Sequence, residues 1–161
     1  MAWFAVAAAA AMLAVIMGML VNGLTAFFVP MEQAEGWARA DIAGINSFGL
    51  IGLAFGSVVM GYAADRLSIR AICLLAASAT GVCLILASRA DSPWMLYALF
   101  FLAGALGGGT LFAPIFAHVG NLFPGSAGVA IGVAAAGQAV GQGGVPFLAA
   151  YLLDLFGWPS A

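Results

Sequence analysis

A chain of 161 residues that is 65% hydrophobic and only 6% charged cannot wet the surface of a soluble domain, which normally carries about 25% charged residues. Lysine is absent, and Arg39, Arg66, Arg70 and Arg89 lie between apolar runs together with most of the acids, leaving a net charge of −2 and no basic patch that could follow a nucleic-acid backbone. Cys73 and Cys83 stand ten residues apart in one apolar run with no Cys/His cluster, so neither a disulfide framework nor a zinc site is indicated.

About 20 consecutive apolar residues cross a bilayer as a helix. On that measure the sequence predicts an all-α fold, a polytopic transmembrane helix bundle of about five spans. The first covers about 3–30, from Trp3 to Pro30, with Asn22 and Thr25 as its polar side chains. It lacks a basic start and is too long for a signal-peptide core. After the charged linker carrying Glu32, Glu35 and Arg39, Asp41 is placed to cap the second span, about 42–64, which holds Asn46, Ser47 and Ser57. The third, about 71–88, follows the turn around Asp65 and carries Thr80 and both cysteines. Asp91-Ser92-Pro93 puts a cap and a proline before the fourth, about 94–117, which contains Thr110 and ends at an interfacial His118. Phe123-Pro124-Gly125-Ser126 marks a turn, and the fifth span, about 128–156, carries Gln138 and Gln142 and closes at Gly157-Trp158-Pro159. The runs are continuous, not alternating, which excludes barrel strands. Trp3, Trp37, Trp94 and Trp158 fall at span ends, where indoles anchor at the interface.

Glycines four apart recur at Gly52/Gly56, Gly104/Gly108, Gly128/Gly132 and Gly137/Gly141, and such pairs let helix backbones approach closely. The amides Asn22, Asn46, Gln138 and Gln142 must face the bundle interior or a water-filled cavity, because lipid would leave them unpaired. Gln138 and Gln142 share one helix face. We therefore assign Asn22, Thr25, Gln138 and Gln142 as the candidate substrate path; the same side chains would equally serve as interhelical hydrogen bonds worth about 0.6 kcal/mol each. No nucleophile–base pair, metal cluster, cofactor motif or phosphate loop is present: Gly107-Gly108-Gly109-Thr110 lacks the Walker lysine. The sequence thus predicts neither an enzyme nor a metal or cofactor protein.

The turn Gly61-Tyr62-Ala63-Ala64-Asp65-Arg66-Leu67-Ser68-Ile69-Arg70 resembles the G-x-x-x-D-R-x-G-x-R loop between the second and third helices of the major facilitator superfamily. Gly61, Asp65, Arg66 and Arg70 match; Ser68 stands where the family has glycine, and Ala71 where it has a second basic residue. Gly36-Trp37-Ala38-Arg39-Ala40-Asp41-Ile42 resembles the G-W-x-R-x-x-I segment of the oxalate/formate antiporter and monocarboxylate-transporter-like branch. The glycines from Gly128 to Gly141 and the exit Leu155-Phe156-Gly157-Trp158 resemble that branch's fifth helix. The fourth span has Phe100 where many proton-coupled relatives have arginine, so proton coupling is not carried over to it. Asn22–Phe27 resembles Gly107–Phe112, and Gly52-x-Ala54-x-Gly56 recurs as Gly137-x-Ala139-x-Gly141, the pairing that inverted three-helix repeats predict.

The resemblance implies a secondary transporter working by alternating access on a small organic anion, a mono- or dicarboxylate. Gly61, Asp65, Arg66 and Arg70 would form its gating motif, the carboxylate docking on a helix N-terminus of the other half for at most about 2 kcal/mol. The arginine count across the two membrane sides is tied, so orientation also comes from the resemblance: N-terminus cytoplasmic, in the cell (inner) membrane. Five spans make an incomplete, N-terminal portion of a twelve-helix fold, so the expected partners are the bilayer, the organic anion and the missing C-terminal helices, and the piece alone is expected to be inactive. The alternative is a stand-alone small membrane protein that oligomerises or scaffolds a partner through its glycine faces.

Overall fold

The computed structural model describes residues 2–63, 66–90 and 92–156. The described chain is helical without strands, and five of its helices are long and apolar enough to cross a membrane: Ala2–Asn22, Arg39–Tyr62, Ile69–Ala87, Pro93–Leu122 and Ala127–Phe156. Large apolar side chains such as Val58, Leu74, Ile85, Val140 and Phe147 are exposed. An outward-facing apolar surface of this extent is what hydrocarbon, rather than water, surrounds.

The first span is not one helix. It comprises α1 (Ala2–Met17), a π-helical turn over Gly18–Asn22, a 3-10 stretch over Gly23–Phe27 and α2 (Phe28–Glu35). Pro30, expected to close this span, instead sits in the first turn of α2, where a missing N–H costs no intrahelical bond. The terminator is Gly36, whose left-handed φ of 67° suits glycine and whose N–H donates to the Glu32 carbonyl. The second span, α3 (Arg39–Ala63), begins before Ile42 and leaves Asp41 inside its first turn. Asp41 therefore does not occupy the cap position; its charge still lies near the positive helix end.

Ser68 caps α4 (Ile69–Ala87) in an extended conformation, its Oγ accepting from the Ala71 N–H at 3.3 Å. The fourth span starts with α5 (Pro93–Leu102), capped by Ser92 with Pro93 in the first turn. It passes through a π-helical segment, Ala103–Gly109, and continues as α6 (Thr110–Leu122), five residues beyond the expected end. His118 is consequently within α6, where it is exposed. A turn closed by Ser126 N–H donating to Phe123 O leads into α7 (Ala127–Phe156). Trp3 packs on Phe123 with ring centroids 4.9 Å apart, which places the start of the first span beside the turn between the fourth and fifth.

Glycine sets the tightest contacts. A Cβ at Gly52 would strike the Phe101 backbone, one at Gly56 the Ala105 backbone, and one at Gly104 the Gly49 carbonyl, so α3 lies directly on the fourth span. Likewise a Cβ at Gly137 would meet Ala10 and one at Gly141 the Ala14 backbone, which seats α7 on α1. Around Gly128 and Gly132 nothing lies within 4 Å, so that expected pair mediates no helix contact in this bundle. Side chains fill the space the glycines leave. Leu13, Met17, Leu20, Ile72, Ala76, Leu111 and Ala134 belong to the main core; Met31, Ile42, Ile45, Leu96 and Phe100 form a second cluster where α2, α3 and α5 meet.

The arrangement carries the internal repeat seen in the sequence. The matches share one offset of 85 residues, 22 to 107 and 52 to 137, and both π-helical segments fall at corresponding places under it. Second-on-fourth and fifth-on-first packing exchange under the same pairing.

Candidate functional site

Two helix irregularities face each other where the first and fifth spans touch. A helix carbonyl normally accepts from the N–H four residues ahead. In α7 the residue four ahead of Gln142 is Pro146, which has no N–H, so the Gln142 carbonyl is left without its intrahelical donor. Asn22, last residue of the π-helical turn in the first span, supplies one: its Nδ2 donates to the Gln142 carbonyl at 3.1 Å. The two spans can come this close because Gly18 has no side chain. A Cβ there would meet Val145 Cγ2 at 2.5 Å and the Gly141 carbonyl at 2.6 Å.

Thr25 sits one turn further on, and its Oγ1 donates to the Asn22 carbonyl at 2.6 Å. Gln138 and Gln142 are both half-buried on one face of α7, beside Gly137 and Gly141, and their side chains make no hydrogen bond to other described residues. The structure thus joins Asn22 to the Gln142 backbone, leaves Thr25 exposed with its hydroxyl bonded within its own span, and leaves the two glutamine amides uncommitted. Such amides can donate to and accept from a polar solute. They contribute no net charge.

Charged groups lie at the span ends. Arg39 Nε donates to Glu32 Oε2 at 2.8 Å, an exposed pair. Arg66 lies 5.5 Å from the Tyr62 ring centroid in a cation–π contact, and Arg70 is exposed in the first turn of α4. Gly61 is exposed, and a Cβ on it would meet nothing within 4 Å. Asp65, the acid of the expected gating motif, lies outside the described residues, as do Asp91 and the exit segment Gly157-Trp158-Pro159.

The sequence reading placed Asn46 in the interior and Thr80 in the third span, but it gave neither their lack of partners nor the role of Pro146. The link from Pro146 back to the Gln142 carbonyl was available from the four-residue spacing alone. Asn46 Oδ1 and Thr80 Oγ1 are buried without a hydrogen-bond partner, Thr80 being pressed onto Gly107, whose Cβ it would exclude. No sequence signal separates these from Ser47, Ser57 and Ser78, whose hydroxyls bond carbonyls of their own helices. An apolar cavity of about 190 Å³ opens beyond the Asn22 contact, lined by residues including Met19, Phe27, Leu96, Phe100, Val145 and Leu152. Among the described residues no cluster of three or more His, Cys, Asp or Glu could hold a metal.

The family model of the Major Facilitator Superfamily matches residues 5–161. Neither the curated proteins nor the solved structures compared with the chain gave a match. Members of the family are membrane transporters of small solutes, and the five apolar spans of this helical bundle are consistent with that match. The chain is an integral membrane protein that belongs to the Major Facilitator Superfamily.

Proposed function

We propose that the chain serves in the transport of a small organic anion, a mono- or dicarboxylate, by alternating access, with its N-terminus on the cytoplasmic side of the cell (inner) membrane. The observation that carries the polar path is the hydrogen bond from Asn22 to the Gln142 carbonyl where the first and fifth spans touch, one turn from Gln138 and with Thr25 one turn along the first span. In this path the uncommitted glutamine amides offer donors to carboxylate oxygens. The choice of carboxylates rests on the likeness of Gly36–Ile42 and of the fifth span to the oxalate/formate and monocarboxylate branch.

An anion at mid-membrane also needs a counter-charge. The arginines of this chain stand at span ends, so in this reading the charge is brought by a second helical bundle docked on this one. Gly61, Asp65, Arg66 and Arg70 would bias that docking. Their helix-terminus interaction of at most about 2 kcal/mol falls short of the roughly 5.5 kcal/mol needed to drive a two-state equilibrium from 1:99 to 99:1. The motif therefore tunes the exchange without locking it.

The test is uptake of labelled oxalate, formate, lactate and pyruvate by cells carrying the gene in its native genomic context, compared with a deletion strain. Saturable uptake of at least one carboxylate, lost on deletion, is expected. Deletion that alters uptake only of neutral or cationic solutes would overturn the substrate class.

A further inference from the structure

The first and fifth spans run parallel and are in backbone contact through part of their length. Gly137 lies on Ala10, Gly141 on Ala14 and Val145 on Gly18. Beyond that register the packing changes. Gly23 still lies against Val145, but Met19 and Phe27 of the first span and Leu148 and Leu152 of α7 line the apolar cavity. The boundary between the tight part and the loose part is also where both helices lose regular hydrogen bonding. The first span changes from π-helical to 3-10 winding at Asn22–Gly23, and α7 has Pro146. One hydrogen bond, Asn22 Nδ2 to the Gln142 carbonyl, crosses between the spans at that level.

We propose that Asn22, the Gln142 carbonyl and Pro146 form a hinge shared by the first and fifth spans, in which the Asn22 amide stands in for the N–H that proline lacks. While the bond is made, α7 beyond Pro146 is held in line with the first span. When it is released, the carbonyl turns to another donor, and the far ends of both spans move about Gly18 and Gly23 to open or close the cavity. The part built on Ala10, Ala14, Gly137 and Gly141 stays fixed, because its backbones leave no room to slide. Asn22 is here a positioning residue, acting through the backbone of α7. The hinge is independent of which solute is carried.

The test is thiol labelling of the purified chain in detergent, with Cys73 and Cys83 replaced and a single reporter at Leu152→Cys, beside the cavity, or Ala134→Cys, buried in the fixed part. Asn22→Ala should speed maleimide labelling at the Leu152→Cys reporter by roughly 3-fold or more, the release of one membrane hydrogen bond, and leave the Ala134→Cys reporter unchanged. Pro146→Ala restores a backbone N–H to the Gln142 carbonyl, so in that background Asn22→Ala should change neither rate. An unchanged rate at Leu152→Cys, an equal rise at both reporters, or a rise that persists with Pro146→Ala would each overturn the hinge. Should Asn22→Ala alone fail to fold, the doubly substituted chain decides: folding supports the hinge and failure to fold refutes it.

Discussion

Replacing Gly141 by alanine tests the packing on which the bundle rests, and Gly132 in the same helix supplies the comparison. At Gly132 a Cβ would meet nothing within 4 Å, whereas at Gly141 it would enter the backbone of Ala14. The helix-propensity gain on replacing glycine, about 0.8–1.0 kcal/mol, is common to both positions and cancels in the comparison. What remains is the collision. Carbon contacts are optimal near 3.5–4.0 Å, so the two helices must part by about 1 Å, and a gap of that size forfeits up to about half of the dispersion well at each facing atom. Overpacking of this kind costs about 1–3 kcal/mol. Unfolding of the two variants by SDS in mixed micelles should therefore place Gly141→Ala below Gly132→Ala by roughly that amount. Equal stability, or a more stable Gly141→Ala, would refute the backbone contact between α1 and α7.

Ser68→Ala should cost about 1 kcal/mol of stability in the same unfolding assay, whereas Ser68→Gly should cost only a few tenths, because glycine is itself well tolerated at a helix N-cap. Asp65→Asn, in the assembled transporter, should slow turnover while equilibrium substrate binding survives; loss of binding in a folded protein would move Asp65 into the substrate site. Proteoliposomes containing only residues 1–161 should take up labelled oxalate, formate, lactate and pyruvate no faster than empty liposomes, and saturable uptake would show that an interior without a central charge suffices.

The number and order of the spans were legible because hydrocarbon tolerates so little: charge is confined to the gaps, and the spans follow. Ends were less legible. Pro30 reads as a stop, yet the chain before it had already left the α-helix, so the proline fell into a new first turn. The π-helical segments have no composition of their own: Gly104 to Gly109 could wind as an α-helix, and the segment lies against the Leu53 and Gly49 backbones. Of the glycine pairs, Gly52/Gly56 and Gly137/Gly141 found a helix and Gly128/Gly132 did not, a distinction that depends on which face meets a neighbour. Asn22 illustrates the limit most clearly. Its need for an interior partner follows from burial in a membrane, but the partner is a carbonyl of Gln142 and not its side chain. Only the proline four residues on explains that choice.

The central claim is that a polar path, wet from at least one side, runs beside the contact of the first and fifth spans. It is tested most directly by placing single cysteines along α7 in a chain lacking Cys73 and Cys83 and treating membranes with a charged methanethiosulfonate, which reacts only from water. Gln138→Cys and Gln142→Cys should react, although their positions lie well within a span, and Val140→Cys, on the exposed apolar face, should not. Reaction at Val140→Cys with Gln138→Cys and Gln142→Cys protected would contradict the claim, since it would put lipid where the path is drawn and water on the opposite face.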